Sequence, residues 1–161
     1  MLADHSGSGV SGIQVLGNTV RHNGLGTPSA PKASAGSGII IAAGGPHGRV
    51  DGNIIRGNTL TGNGHAGVAL HGHAKGPRFS KNQIIGNLIG KNNLRTDYKD
   101  KKSTGIYLGD AAKVNIVVKS NMFRSNYYGI FTAGPVHVHQ LKTNTYAHVK
   151  VHHKHIKKYA G

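Results

Sequence analysis

Apolar residues recur along this chain at fixed distances from asparagines. With Asn18, Asn58, Asn87, Asn121 and Asn144 as reference points, an apolar residue stands three positions before each (Val15, Ile55, Ile84, Val118, Leu141). Another stands two positions after (Val20, Leu60, Ile89, Phe123, Tyr146). A second asparagine follows in the first four copies, at Asn23, Asn63, Asn92 and Asn126, and the fifth copy has Val149 there. Between the copies, Gly38, Gly67, Gly105 and Gly129 each lead a short apolar run, over 38–41, 67–70, 105–108 and 129–132.

The spacing of the copies is uneven, widest between Asn18 and Asn58 and narrowest between Asn121 and Asn144. A constant phrase with a variable period describes a constant coil with insertions at fixed corners. Short alternating strands, Gly and Asn corners and no helical period predict an all-β parallel β-solenoid of about five coils. Stacked at the spacing of hydrogen-bonded strands, the asparagines would lie above one another and bond through their amides as ladders. Alternation turns Ile39, Ile41, Val68, Leu70, Ile106, Leu108, Ile130 and Thr132 inward, and Ile40, Ala69, Tyr107 and Phe131 into an exposed outward column.

The chain reads as a single domain over 1–161, with repeat coils over 11–149 and a basic His/Lys-rich strand or tail over 150–161. The residues before Val15 make less than one coil, so the solenoid is expected to lack a complete N-terminal cap. A solenoid with an open edge invites pairing, so the chain is expected to be part of a longer one, or to be covered there by another protein chain. The alternation of 149–159 suits a last strand whose Lys and His blunt its edge. Insertions fall over 24–37, 43–51, 71–78 and 93–104, and loops on a rigid scaffold are where binding and catalysis concentrate.

The phrase resembles the parallel β-helix repeats shared by pectate lyases, polygalacturonases, alginate epimerases, phage tailspikes and the copper-handling protein NosD. The resemblance covers nearly the whole chain. It implies a right-handed parallel β-helix of the pectin-lyase-like fold and a substrate groove beside one of the sheets. It does not select an activity, because the fold hosts many.

Charge narrows the partners. Twenty Lys+Arg against five acids give a formal net charge of +15, with 12 His in addition. Such a surface attracts polyanions, and an acidic polysaccharide is the expected partner, with nucleic acid not expected. No apolar run reaches membrane-spanning length. The N-terminus carries no signal peptide, so an expected secreted, periplasmic or cell-surface location requires one that is removed or upstream. There is no cysteine and therefore no disulfide.

Three constellations are candidates. Tyr107 and Phe131 on adjacent coils, extended by Tyr128, form a stacking platform for sugar rings, with Lys119 and Arg124 among the cations of a basic stripe. His47, Arg49, His71, His73, Lys75 and Arg78 gather near one corner and supply the cation and base that a β-eliminating lyase needs. Glycoside hydrolysis requires two facing carboxyl groups, and the chain has no Glu and scattered Asp. If the protein is an enzyme, lyase is therefore favoured over hydrolase, and binding is favoured over catalysis. The i, i+2 pairs His71/His73 and His137/His139 are weak candidates for copper or another divalent metal; no cofactor is expected. The rival readings are a structural or assembly solenoid, or a fragment of a larger surface protein, and NosD-like copper handling.

Overall fold

A computed structural model describes residues 1–25, 36–72, 76–95, 101–110, 113–134 and 136–155, the side chains of Asp110 and Lys113 excepted. The chain winds through five successive coils. The first holds β1 (Leu2–Asp4), β2 (Val10–Ser11), β3 (Gln14–Leu16) and β4 (Thr19–Arg21). The second holds β5 (Ile39–Ala43), β6 (Arg49–Asp51), β7 (Ile54–Arg56) and β8 (Thr59–Thr61). The third holds β9 (Val68–Gly72), β10 (Arg78–Ile85) and β11 (Leu88–Ile89). In the fourth come β12 (Thr104–Asp110), β13 (Lys113–Lys119) and β14 (Met122–Arg124). The fifth has β15 (Tyr128–Ala133), β16 (Val136–His139), a 3-10 turn (Leu141–Thr143) and β17 (Thr145–Ala147), and β18 (Val151–Lys154) begins another turn.

Corresponding strands pair in parallel into three sheets. The first runs β1-β5-β9-β12-β15-β18; the second runs β16-β13-β10-β6-β2, with β3 on β7 and β7 on β10; the third runs β17-β14-β11-β8-β4. The core is a column of stacked aliphatic layers. Ile39, Val68, Ile106 and Ile130 come from the first sheet, Ile55, Ile84 and Val118 from the second, and Leu60, Ile89 and Phe123 from the third. Each residue predicted to face inward from the Gly-led runs is buried.

The glycines that lead those runs are there because coils approach closely. A Cβ on Gly38 would lie 2.6 Å from the Gly67 carbonyl oxygen, one on Gly67 3.0 Å from that of Gly105, and one on Gly105 2.7 Å from that of Gly129. No side chain fits between successive carbonyls at that distance.

Three amide ladders hold the corners. Asn18, Asn58, Asn87, Asn121 and Asn144 form one, in which each Oδ1 accepts the backbone N–H and the Nδ2–H of the asparagine one coil earlier. Asn23, Asn63, Asn92 and Asn126 form the second, which stops where Val149 replaces the next asparagine. The third, Asn53 over Asn82, was not predicted; Asn53 Oδ1 accepts the Ile13 N–H and Asn82 Oδ1 the Asn53 N–H. Its members occur in only two copies of the repeat, and Ile116 occupies the next register position.

Two expectations need correction. The N-terminal residues make more of a coil than expected, because Leu2–Asp4 is a full strand of the first sheet and Val10–Ser11 one of the second. The buried Asp4 organises this segment. Its carboxylate accepts the backbone N–H groups of Arg49 at 2.8 Å, Gly7 at 2.9 Å, Ser6 at 3.0 Å and Gly9 at 3.1 Å. The bond from Arg49, with those from Gly7, Ser6 and Gly9, holds its pKa down at about 2 against the opposing effect of burial. The outward column of the first sheet is also not exposed. Ile40 is half-buried and Ala69, Tyr107 and Phe131 are buried.

Candidate functional site

The register explains what becomes of the aromatic platform. Tyr107 pairs with Phe131 across β12 and β15, and their rings stack at 5.8 Å and 10°. With Ala66, and with Tyr128 and Ala133 packed against them, they form a second apolar cluster outside the main core. His155 closes edge-on over Phe131 at 5.6 Å. Tyr107 is 1% and Phe131 8% exposed, so neither ring presents a face to a sugar. Tyr128 is half-buried and packs at 5.2 Å on Phe131.

Tyr127, beside it, meets two cations. Lys102 Nζ lies 5.5 Å and Lys150 Nζ 5.7 Å from its ring centroid. Ladder bonds from Tyr128 N–H to Ser103 O and from Val151 N–H to Tyr127 O set the register. These bonds place Ser103, Tyr127 and Lys150 at equivalent corners of successive turns. Both lysines are exposed. The sequence signal was present in Lys102, Tyr127 and Lys150, but assigning them to one corner requires the register.

The predicted corner of His47, Arg49, His71, His73, Lys75 and Arg78 divides. Arg49 and Arg78 are register partners at the start of the second sheet, and Arg78 pairs in turn with Lys113. Three consecutive rungs therefore each carry a basic residue, at the interstrand spacing of about 4.8 Å. His47 is exposed on the turn leading to Arg49. The next corner abuts this turn, since a Cβ on Gly76 would lie 2.8 Å from the Pro46 carbonyl oxygen. His71 does not join them: it sits in β9 opposite Ala42 and Gly109 and is 1% exposed. His73 and Lys75 lie outside the described residues, as do Asp97, Asp100 and the tail beyond His155.

Arg49 has an acid nearby. Its Nη2 lies 3.5 Å from Asp51 Oδ2, while Asp51 Oδ1 accepts the backbone N–H and hydroxyl of Ser80 at 3.0 and 2.8 Å. The predicted stripe spans two sheets. Arg56 and the half-buried Lys119 lie on either side of Ile85 in the second sheet. Arg124 is exposed on β14, with Arg21 far along the same sheet on β4.

His137 and His139 share the exposed face of β16 as alternation requires. Among the described residues, no group of three or more His, Cys, Asp or Glu is placed to hold a metal ion. The C-terminal histidines instead form a cap. Tyr146 stacks on Phe123 at 5.1 Å, and His152 stacks on Tyr146 at 4.0 Å. The Tyr146 hydroxyl and His153 Nε2 share a hydrogen bond of 2.8 Å. Burial pushes the Tyr146 pKa up to about 12, and burial with the neighbouring His152 lowers that of His153. No helix among the described residues is long and apolar enough to cross a membrane.

No curated protein and no solved structure matches the chain. A family model does, that of the right-handed beta helix region, over residues 3–144. Three stacked parallel sheets, repeated asparagine ladders and a match across most of the sequence place this chain in the right-handed beta helix family.

Proposed function

We propose that the chain binds an acidic polysaccharide lying along the solenoid axis, against the basic corner where the second sheet begins. The observation that carries this reading is the register of Arg49, Arg78 and Lys113 on three consecutive rungs. Like charges placed directly opposite one another in a sheet oppose its pairing. A linear polyanion with acid groups repeated along its length relieves that repulsion and follows the row, whereas a single small anion meets only part of it. The net charge of +15 draws such a polymer from a distance. Lys102 and Lys150 around Tyr127 offer a second cationic contact at another corner.

Binding rather than hydrolysis is supported by the state of the two acids whose side chains are described. Asp4 is enclosed by four backbone N–H donors, and Asp51 is engaged by Ser80 and Arg49. Neither is free to pair as acid and base across a glycosidic bond.

The test is titration with polygalacturonate and with a neutral dextran at low and moderate salt. Binding of the polyuronate alone, weakening as salt rises, is expected. Replacing Arg49 and Arg78 together by Ala should weaken it roughly tenfold, about 1.4 kcal/mol over two exposed contacts. Equal affinity for dextran, or no affinity for any polyuronate or glycosaminoglycan at low salt, would sink the reading. Appearance of unsaturated product absorbance during the titration would instead mark a lyase.

A further inference from the structure

We infer that the basic row at the start of the second sheet works as a ruler of three positions, which prefers glycans with an acid on every consecutive sugar to glycans with an acid on alternate sugars. The inference rests on the polysaccharide reading above and names the class of polymer that the site takes.

The core fixes the spacing. Arg49, Arg78 and Lys113 each precede a buried residue, Val50, Phe79 and Val114, and these three are register partners on successive coils. A strand so anchored cannot slip by one residue without turning its buried side chains outward. The three basic positions therefore stand one interstrand step apart, about 4.8 Å. Asp4 holds the first in place, because its Oδ2 accepts the backbone N–H groups of Arg49 and Gly9 at 2.8 and 3.1 Å. Arg49 and Arg78 are both exposed.

The row is also bounded. Val10 pairs with Val50, which sets Gly9 beside Arg49, and a Cβ on Gly9 would lie 3.8 Å from Arg49 Cβ. Glycine puts no charge on that rung. On the other side β16 begins at Val136, opposite Val114, and His137 follows opposite Asn115. That strand starts one residue too late to continue the row past Lys113.

An extended chain of pyranose sugars advances by a length close to one such step per sugar. With an acid on every sugar it offers one carboxylate to each of the three basic positions. With an acid on every second sugar it reaches only the first and third, and Arg78 is left facing like charge on both sides without a counter-ion. Arg78 is thus the residue that reads the repeat.

Calorimetric titration at one low salt concentration tests this with two ligands of equal charge, trigalacturonate and hyaluronan hexasaccharide, each carrying three carboxylates. Trigalacturonate is expected to bind roughly fivefold tighter. Digalacturonate should bind about as weakly as the hyaluronan fragment, and hexagalacturonate should gain no more than about threefold over the trimer. Arg78→Ala should abolish the preference while leaving hyaluronan affinity within about twofold, and Arg78→Lys should retain it; both variants should keep the far-ultraviolet circular dichroism spectrum. Equal affinity for the two ligands, a steep further gain from trimer to hexamer, or an equal loss for both ligands in Arg78→Ala would overturn the ruler. Binding of long polygalacturonate without binding of the trimer would also overturn it, yet spare the polysaccharide reading. Binding of neither would end both.

Discussion

Asn87 Oδ1 accepts two hydrogen bonds from Asn58, the backbone N–H at 2.9 Å and the side-chain amide at 3.0 Å. Asn87 in turn donates its Nδ2–H to Ile55 O at 3.0 Å and to Asn121 Oδ1 at 2.9 Å. One side chain thus ties three coils together from a site that is 1% exposed. Asn87→Ala strands several of these groups away from water, at about 1–3 kcal/mol for each buried group left unpaired. A loss of roughly 3 kcal/mol or more in urea unfolding is expected. Asn18→Ala, at the exposed end of the same ladder, should cost under about 1 kcal/mol, because water replaces what is lost. Equal costs at the two positions would remove the ladder from its structural role.

The ladders show what the sequence makes legible. A repeated Asn at fixed distance from inward aliphatics reveals both the coil and the corner, and every Asn so identified lies in a ladder. Side-chain direction within the Gly-led strands was equally readable, since alternation has period two. Exposure was not. Tyr107 does point away from the main core, but whether an outward side chain meets water depends on what folds over it, and that is set by contacts distant in sequence. The Asn53/Asn82 ladder escaped for the opposite reason, too few repeats to form a pattern. The Arg49, Arg78 and Lys113 row was partly visible as a cluster, yet its members could be separated from His71 only by register.

The aromatic column carries a prediction that differs from that of an exposed platform. Phe131→Ala empties a buried site against Tyr107, Tyr128 and Ala66. A destabilisation of about 3 kcal/mol is expected, in the range for large-to-small changes of buried aromatics. Polyuronate affinity of the folded fraction should be unchanged. Native stability with lost affinity would restore the ring to a ligand-facing role.

The glycine column should tolerate nothing larger. In Gly105→Ala the new Cβ would lie 2.7 Å from both Gly129 O and Phe123 Cδ1. Overpacking of this kind costs typically about 1–3 kcal/mol. Gly86→Ala is a useful contrast, since a Cβ there meets nothing within 4 Å and only its φ of +61° is strained. Thermal unfolding should show Gly105→Ala the more damaging of the two. The reverse order would mean that the positive φ at Gly86 weighs more than the close approach of coils at Gly105.

The C-terminal cap makes stability depend on pH with a definite sign. Burial and His152 lower the His153 pKa below its ordinary 6.5, so the unfolded chain takes up a proton more readily than the folded one. Above 6.5 both states are neutral at this residue and the cap is at full strength. As pH falls through that value, protonation of the unfolded state draws the equilibrium toward unfolding, and the loss levels off below the folded pKa. Charging His153 also sets a cation next to Lys154 in the chain. Thermal midpoints measured from pH 8 to pH 5 should decline through this window, and His153→Phe should flatten part of the decline. Asp4 works at lower pH. Its folded pKa of about 2 lies below the ordinary 3.8, so its contribution is complete above 3.8 and disappears as the pH falls toward 2. Asp4→Asn should therefore remove a separate, more acidic part of the profile. If that variant altered the decline between pH 8 and pH 5 instead, the two ends of the solenoid would be titrating as one unit, and the assignment of the upper window to His153 would fail.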